Sequence, residues 1–501
     1  MNTTIKRLAG INNQGNSNTV NSTINTKSYL PYVYLALIIT AITSYTNFGH
    51  NTGDEYSQIF EFAAWKLGHL SQSDLRSYEF TSHMRPSIQV WAVVAVYKIA
   101  NLFTSHVNPF VVNYIVYFLS GALGIYSILV FTKAFLARVK PEYHRYFLFL
   151  SLFSWLVLYT NPHFNSENIC GHLFLLAVGL LYAQLSTLSI SRIVIAGLIL
   201  GLSFSCRFQI GFAILALLLW LLFAAYKNNK LGQWFLLSAS MFFSILVFNI
   251  VADYYFYGQL VFSTYNYYYQ NIATGIMNRD AGVSPWYAYL ATVSVYVPFG
   301  PIYVLASIYY IIKYPWDILS SIIGFFVLCH VAIGHKEVRF LLPMLGFMPV
   351  VIMVAMDDLV KRSDYFRANL TKIIKILWAI NLVACFSLLL PAATEIGAWR
   401  YLYNNYQKPT ILYYNASVHQ KLLYYKKGNV QLVTYKSGDP TPCPPGSNCL
   451  IAFNANSRDV KPNYPLVYTF FPFNLEQLLP RVIVRAIGHF NIYEIKTIEA
   501  E

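Results

Sequence analysis

A succession of long apolar segments is the feature that most constrains the fold of this chain. About eleven of them have the roughly 20 residues that an α-helix needs to cross a hydrocarbon core. Hydrophobic residues make up 56% of the 501 positions and charged residues only 11%, whereas a soluble domain carries about 25% charge. The sequence therefore predicts an all-α polytopic membrane protein. The predicted spans are 29–46, 110–132, 146–162, 168–186, 190–206, 208–226, 233–251, 286–312, 317–334, 340–356 and 373–392.

The orientation of these spans follows from three short basic loops, 133–145, 227–230 and 361–375. Lys and Arg are enriched in cytoplasmic loops, so these loops and the N-terminal tail are placed in the cytoplasm. The number of spans then fits only if the apolar run 86–103 does not cross, and we predict that it lies along the outer interface. The net charge of +14 falls mostly in such loops, so we expect contact with membrane lipids and no nucleic-acid partner.

Three regions differ in composition. Residues 1–28 are rich in Asn, Thr and Ser and are predicted to be a disordered cytoplasmic tail. Residues 29–395 form the transmembrane domain, in which 47–109 is a first outer loop with interfacial helices. In 396–501 short apolar runs alternate with turn residues, which predicts a small mixed α/β domain outside the cytoplasm. Cys443 and Cys449 bracket a Pro-Pro-Gly-Ser-Asn turn there, a spacing that favours a disulfide in an oxidising compartment.

A charged cluster lies between the ninth and tenth predicted spans. His335, Lys336, Glu337 and Arg339 are four ionisable residues in five positions, between the apolar segments 317–334 and 340–356. Charges at a bilayer edge are costly unless they are paired or functional. Interfacial anchoring is the alternative reading of Lys and Arg at helix ends. The mixed signs, the histidine and the short connection favour a functional site.

Two adjacent carboxylates, Asp54 and Glu55, stand just outside the first predicted span. A carboxyl group beside an apolar wall has a raised proton affinity and can act as a general base. The pair also suits the acidic start of an ordinary helix, where the helix dipole favours it. Farther along, Arg85 precedes Pro86, which is expected to start the next helix.

Arg207 interrupts the apolar stretch from Ile193 to Tyr226. It is expected either to sit at an outer turn, reaching the headgroups, or to bind an anion. The outer loop 252–285 mixes amides and aromatic rings, including Tyr257 and Asn266, and Trp286 follows it. That mixture suits a sugar-binding surface, although an ordinary interfacial loop has similar residues.

The predicted orientation brings these acids, cations and aromatic rings to one face of the membrane. Converging cations can hold a phosphate, and a nearby carboxylate can take a proton from a hydroxyl group. Together they describe glycosyl transfer from a lipid-linked phosphosugar. The sequence has no GxxxxGK[ST] phosphate-binding loop, so the donor is expected to arrive through the bilayer.

Several of these residues resemble motifs of the Alg9/PIG-B-like (GPI mannosyltransferase) family, which is glycosyltransferase family 22 of the GT-C superfamily. The most specific match is His335-Lys336-Glu337-Val338-Arg339-Phe340-Leu341-Leu342-Pro343, which is similar to the family's His-Lys-Glu-x-Arg-Phe-x-x-Pro. Weaker matches in the same order are Asp54-Glu55-Tyr56-Ser57-Gln58, Gly68-His69-Leu70, Tyr78-Glu79-Phe80 with Arg85, Arg207, Tyr257-Gly258, Tyr265-Asn266 and Pro285-Trp286-Tyr287. Ser284 and Ala288 depart from the family pattern, which has a histidine and a further aromatic residue there.

The resemblance covers roughly residues 29–345 and implies a GT-C fold of about eleven transmembrane helices. It implies an inverting mannosyltransferase that uses a polyprenyl-phosphate mannose, such as dolichyl-phosphate mannose. The acceptor would be a lipid-linked glycan or a GPI-like molecule, joined by an α-linkage. The enzyme would lie in the endoplasmic reticulum membrane of a eukaryote or the inner membrane of a bacterium, with its site on the luminal or periplasmic side.

The resemblance also implies roles for individual residues. Asp54 would be the base, with Glu55 assisting or replacing it, and neither a metal ion nor a cofactor is expected. The donor phosphate would be bound by Arg85, Arg207, His335, Lys336 and Arg339. The sugar and the acceptor would contact Glu79, Tyr257, Asn266, Trp286 and Glu337.

Two other functions remain compatible with the sequence. The same cations could hold a phosphate headgroup in a transporter or flippase of a lipid-linked glycan, or in an assembly subunit with a decayed site. Transporters usually place charges near the bilayer midplane and are built from related halves. Here the charges gather at one face and the halves are unrelated, which favours an enzyme.

Overall fold

The structure is a computed structural model that describes residues 29–75, 77–182, 189–280, 282–415, 423–436, 438–454, 465–470 and 490–495. The predicted cytoplasmic tail, residues 1–28, lies outside the described residues, as does much of the predicted domain 396–501. The boundaries of the three predicted regions therefore stay predictions.

Helices make up most of the described chain. Among the described residues, fourteen α-helices have nine or more residues. They are α1 Leu30–Thr46, α2 Ile88–Asn101, α3 Pro109–Phe135, α4 His144–Phe153, α5 Ser166–Tyr182, α6 Ile190–Cys206, α7 Gly211–Lys227, α8 Leu231–Ile245, α9 Ala288–Tyr296, α10 Gly300–Lys313, α11 Ile318–Ala332, α12 Met348–Arg362, α13 Asp364–Cys385 and α14 Thr394–Asn405.

Five helical stretches are long and apolar enough to cross a membrane. They are Pro109–Arg138, Phe208–Lys227, Leu231–Tyr257, Val338–Arg362 and Asp364–Leu389. Six shorter apolar helices accompany them, among them α1, α5, α6 and α11. The protein is therefore an integral membrane protein, and the number of eleven spans stays a prediction. Helix α2 has 14 residues, about 21 Å at 1.5 Å per residue, which is shorter than a hydrocarbon core.

Two predicted spans are each two helices: 146–162 divides at Ser154 into His144–Phe153 and Trp155–Thr160, and 286–312 divides at Pro298. The segment 286–312 divides into α9 and α10, because Pro298 lacks a backbone N–H and disfavours helix at the residue before it. Phe299 turns the chain with a φ of 63°. At Gly300 a Cβ atom would collide with the carbonyl oxygen of Val293, so the two helices approach closely only because this residue is glycine.

Two large hydrophobic cores and a small cluster in the C-terminal sheet hold the described residues together. The first lies within the helical bundle and includes Phe131, Phe174 and Phe347. The second joins the first outer loop to the C-terminal region, with Phe60 and Tyr425 among its buried residues. Because these two regions share one core, the C-terminal sheet packs directly on the loop that carries Asp54 and Glu55.

The C-terminal sheet has five described strands in the order β2-β1-β3-β5-β4. They are β1 Thr410–Asn415, β2 Val430–Tyr435, β3 Asn448–Asn454, β4 Leu466–Thr469 and β5 Phe490–Glu494. Strand β1 is parallel to β2 and β3, whereas β5 is antiparallel to β3 and β4. Cys443 and Cys449 form the predicted disulfide, which ties the preceding turn to the start of the central strand β3.

Candidate active site

Asp54 lies where distant parts of the chain meet. It belongs to the short helix Gly53–Glu55, which follows α1 and continues into a π-helical turn. Its Oδ2 is 2.8 Å from Nη2 of Arg339 and 3.9 Å from Nη2 of Arg85. The side chain keeps 33% of its surface exposed. Asp54 is therefore a reachable carboxylate beside two guanidinium groups.

The charge state of Asp54 differs from the expectation. Partial burial favours the neutral acid, but Arg339, Arg85 and Arg207 outweigh it and lower the pKa of Asp54 below its usual value. The predicted rise in proton affinity is therefore wrong, because guanidinium groups surround this carboxylate where an apolar wall was expected. Asp54 is ionised at neutral pH.

Arg85 forms a bidentate ion pair with Glu79. Its Nε donates to Oε2 and its Nη2 to Oε1, each at 2.8 Å, and both side chains are buried. Burial opposes the charge of Arg85, but Glu79 and Asp54 raise its pKa above the usual value. Glu79, predicted to bind the sugar, thus holds Arg85 in place. The guanidinium also stacks 4.9 Å from the ring centre of Tyr267.

A buried carboxylate that the sequence analysis missed joins the cluster. Glu167 lies in the first turn of α5, and its Oε1 is 3.2 Å from Nη2 of Arg207 and 3.6 Å from Nε of Arg339. Without it, two guanidinium groups would face each other in a poorly solvated place, which is unfavourable. In the sequence, Ser166 and Glu167 look like an ordinary helix start. The one indication of a functional role was that Glu167 is a carboxylate in the loop 163–167, between two predicted spans.

Arg207 ends helix α6 and turns toward the cluster. Its Nε donates to Oε1 of Gln209 at 2.6 Å. Its Nη1 is buried and has no hydrogen-bond partner among the described residues. The ring of Phe340 lies 5.2 Å from this guanidinium and 5.5 Å from that of Arg339. Arg207 therefore forms the deep part of the cluster and Arg339 the more accessible part.

The residues of the predicted charged cluster bind one another. Oε1 of Glu337 accepts from Nη2 of Arg339 at 2.9 Å and lies 2.9 Å from Nε2 of His335, and its Oε2 is 2.7 Å from Nε of Arg339 as an ion pair. Burial by itself raises the pKa of Glu337, but Arg339 and His335 lower it below the usual value. Glu337 and His335, predicted to contact sugar and phosphate, thus orient Arg339 in this structure.

Lys336 differs from the arginines. Its Nζ donates to three backbone carbonyl groups, those of Ile333 at 2.6 Å, Ser284 at 3.1 Å and Gly334 at 3.4 Å. Among the residues that the structure describes, no carboxylate lies within 4.0 Å of it. Lys336 is therefore a fixed positive charge without a carboxylate partner.

Glu55 does not join the arginine cluster. Its side chain is 0% exposed and lies 3.3 Å from Nδ1 of His163. Its two oxygens accept backbone N–H groups of Phe164 at 2.6 Å and Asn51 at 3.1 Å. Successive helical residues point about 100° apart, so two adjacent carboxylates cannot both face the same arginines. In this structure Glu55 fixes the loop that carries Asp54.

The three aromatic and amide residues predicted to bind sugar fall into two groups. Tyr257 donates its hydroxyl to the carbonyl of Arg85 at 2.8 Å, and Asn266 donates to the carbonyl of His83 at 3.2 Å. These two side chains position the segment before α2. Trp286 is 67% exposed and lines an apolar groove.

That groove has a volume of about 580 Å³ and lies between α9, α10, α11 and the 3₁₀ segment Val338–Phe347. Its walls include Tyr289, Val338 and Leu341. Val338 stands between Glu337 and Arg339, so one end of the groove lies beside the charged cluster. The apolar groove thus meets the charged cluster.

Three solved structures are similar to this chain to different degrees. The structure of ArnT from Cupriavidus metallidurans bound to undecaprenyl phosphate is 12% identical, covering 86% of this chain and 94% of that one, with a TM-score of 0.52. The apo form of the same protein is 12% identical, covering 94% of this chain and 98% of that one, with a TM-score of 0.49. The oligosaccharyltransferase of Archaeoglobus fulgidus in its apo form is 15% identical over 77% of this chain and 59% of that one, with a TM-score of 0.41. The likeness to ArnT bound to undecaprenyl phosphate shows the fold of this chain.

The family comparison identifies the class of this membrane protein as a glycosyltransferase. The family model of the Alg9-like mannosyltransferases matches residues 32–413, and the chain belongs to that family. This confirms the resemblance that the sequence motifs indicated. None of the curated proteins compared is similar enough to count as a match.

Proposed function

We propose that the protein transfers a mannosyl residue from a polyprenyl-phosphate mannose, such as dolichyl-phosphate mannose, to a lipid-linked glycan or GPI-like acceptor. The observation that carries this proposal is the 2.8 Å contact between Asp54 and Arg339, three residues from Lys336 in the sequence. A base for the acceptor hydroxyl and cations for the leaving phosphate thereby stand within one cluster. The family supplies mannose as the expected sugar.

The donor phosphate is assigned to Lys336 and Arg339. Charges held in place where negative charge grows stabilise a departing phosphate without reorganisation. Arg207 lies beneath them and acts through Glu167, which contacts both arginines. Arg85 completes the positive field around Asp54.

The apolar groove is assigned to the polyprenyl chain. It begins at Val338 and Trp286, beside the residues that would hold the phosphate. A lipid entering from the bilayer would thus bring its headgroup to the cluster and leave its tail among apolar side chains. The similarly folded ArnT binds undecaprenyl phosphate, which supports a lipid phosphate as the ligand class.

The proposed reaction is a single displacement. Asp54 takes the proton of the acceptor hydroxyl, whose oxygen forms a bond to the anomeric carbon from the face opposite phosphate. The bond between that carbon and the phosphate oxygen breaks, and the phosphate leaves with the electron pair. The configuration inverts, so a β-linked donor gives an α-linked product. No step requires a metal ion or a cofactor, because Lys336 and Arg339 neutralise the leaving group.

We also propose on which side of the membrane the site opens. The basic loops are predicted to be cytoplasmic, so the site would open toward the lumen of the endoplasmic reticulum or the bacterial periplasm. The lipid-linked donor and acceptor would then both present their sugars on that side.

The test is mannose transfer by the purified full-length chain in liposomes. Labelled polyprenyl-phosphate mannose and a lipid-linked acceptor are supplied, and the labelled product is counted. Asp54→Asn should abolish transfer while the variant stays folded. Asp280→Asn, an exposed carboxylate in an outer segment, should retain transfer.

Two results would contradict the proposal. Full activity of Asp54→Asn would remove this residue as the base. Movement of the glycan lipid between leaflets without any transfer would instead identify a transporter.

A further inference from the structure

The segment between α8 and α9 has an unusual composition for a loop outside the membrane. Its 25 residues from Tyr254 to Asn278 contain no Asp, Glu, Lys, Arg or His, and seven of them are Tyr. Gly258, with a φ of 73°, ends the preceding helical stretch. The chain then forms the helix Ser263–Tyr268, which continues as the π-helical turn Tyr269–Ala273.

The two faces of Ser263–Ala273 are reversed relative to a helix on a water-soluble protein. Ser263, Tyr267 and Asn271, four residues apart, are buried and present polar atoms to the interior. Tyr265 and Tyr269, between them, expose 56% and 49% of their surface. A helix bordering bulk water buries its apolar side and exposes its polar one. This pattern favours a medium less polar than water outside the helix.

We propose that the exposed face of 254–273 lies in the headgroup region of the outer leaflet, so that its partner is the lipid surface itself. Tyrosine has an apolar ring and a polar hydroxyl, and it is enriched at membrane–water interfaces for that reason. A segment without charged side chains enters that region without the cost of desolvating an ion.

Both ends of the segment support this partner. The stretch Leu231–Tyr257 that precedes it is apolar and long enough to span, and only 17% of its most apolar part is buried within the protein. Most of that apolar part is therefore exposed on the surface of the protein. After the segment, the exposed Trp286 lines the groove between α9 and α11. Exposed apolar side chains thus lie on both sides of the segment along the chain.

The inner face of the same helix touches the site. The ring of Tyr267 lies under the guanidinium of Arg85 at 4.9 Å, and Tyr78 donates to Asn271 at 3.3 Å. Lipid contact and the charged cluster are therefore on opposite sides of one helix. This would set the depth at which the cluster meets a lipid-bound ligand, whatever reaction follows.

The experiment places a fluorophore on the exposed face in lipid nanodiscs. Cys329 and Cys385 are replaced by Ser, while Cys170 and Cys206 are buried and stay. Bimane is attached to Tyr265→Cys, Tyr269→Cys or Leu260→Cys, the last at a position that is 79% exposed. The discs contain ordinary or brominated phosphatidylcholine, and aqueous iodide serves as the second quencher.

Two further positions calibrate the quenching. Phe242→Cys lies on the exposed side of α8 and marks contact with lipid. Gln431→Cys lies on the exposed side of β2 and marks contact with water. The proposal predicts that brominated lipid lowers the emission at Leu260, Tyr265 and Tyr269 as it does at Phe242.

Iodide quenching as strong as at Gln431, without quenching by brominated lipid, would overturn the proposal. Shielding from both quenchers would also overturn it, because a protein partner or a second copy of the chain would then cover this face. Loss of one tyrosine can disturb the stacking of Tyr265 on Tyr269. The label at Leu260 avoids this, since it leaves both rings in place.

Discussion

Oδ2 of Asp54 lies 2.8 Å from Nη2 of Arg339, so the proposed base is bound to one of the proposed phosphate ligands. A carboxylate in such an ion pair is a weak proton acceptor. A donor phosphate that binds Arg339 would compete with Asp54 for the positive charge of this guanidinium. The proton affinity of Asp54 would then rise. Donor binding would therefore prepare the base before the acceptor reacts.

This relationship predicts a change in pH dependence. Transfer needs ionised Asp54, and its pKa is lowered by Arg339 and Arg85 against the effect of burial. The acid limb of kcat/KM, which reports the free enzyme, should therefore lie below the ordinary pKa of an aspartate. In Arg339→Gln the limb should move to higher pH, because the strongest attraction on the carboxylate is gone. Mannose transfer measured across the pH range checks this.

The matched control is Arg279→Gln, at an exposed arginine in an outer segment. Its overall activity and its acid limb should both equal those of the unaltered protein. An unchanged limb in Arg339→Gln would show that this arginine does not govern the ionisation of Asp54.

Lys336 should contribute to donor binding as a charge. Its Nζ has backbone carbonyl partners but no carboxylate partner among the described residues, so its removal takes a cation from the site without exposing an acid. A hydrogen bond to a charged group contributes about 1.5–3 kcal/mol, which is about a 10- to 100-fold change in affinity. Lys336→Ala should weaken binding of a polyprenyl phosphate by that factor, measured by equilibrium binding in detergent.

Lys133→Ala, at an exposed position in the last turn of α3, serves as the comparison and should bind normally. Equal affinities of the two variants would exclude Lys336 from the phosphate site.

Much of the site could be predicted because charges beside apolar segments are rare. Asp54, Arg207 and Arg339 stood out for this reason, and the positive-inside rule placed them on one face. The structure brings them together from positions far apart in the chain. The break at Pro298 could also have been predicted, since proline interrupts helices.

Other parts could not be inferred from the sequence. Glu167 sits at an ordinary helix start, and only the approach of Arg207 and Arg339 makes it part of the cluster. Tyr257 and Asn266 look like sugar-binding residues, yet their polar atoms bind backbone carbonyl groups of a distant segment. Such partners depend on tertiary packing that local composition does not encode.

The pair of Glu79 and Arg85 should show strong coupling in stability. Both side chains are buried and share two hydrogen bonds of 2.8 Å. Removing one partner of a buried ion pair costs about 3–5 kcal/mol, whereas replacing both by apolar residues is often nearly neutral. Glu79→Met should therefore lower the free energy of unfolding strongly, and Glu79→Met with Arg85→Met should recover most of it. Denaturation in mild detergent measures both.

The exposed pair of Asp364 and Arg367, 3.1 Å apart, is the control and should cost about 0–1 kcal/mol when broken. If the double variant loses as much free energy of unfolding as the two single variants together, the pair of Glu79 and Arg85 is not desolvated.

Glu167 should act as the counter-charge that keeps Arg207 and Arg339 together. Glu167→Gln leaves two guanidinium groups close to each other with one negative charge fewer, so the melting temperature should fall. A polyprenyl phosphate restores a negative charge beside Arg339, and it should therefore raise the melting temperature more in Glu167→Gln than in the unaltered protein. Asn168→Asp, at the next residue of α5, supplies a charge at the wrong position and should not reproduce this rescue. If the phosphate stabilises Glu167→Gln and the unaltered protein equally, the phosphate does not reach this part of the cluster.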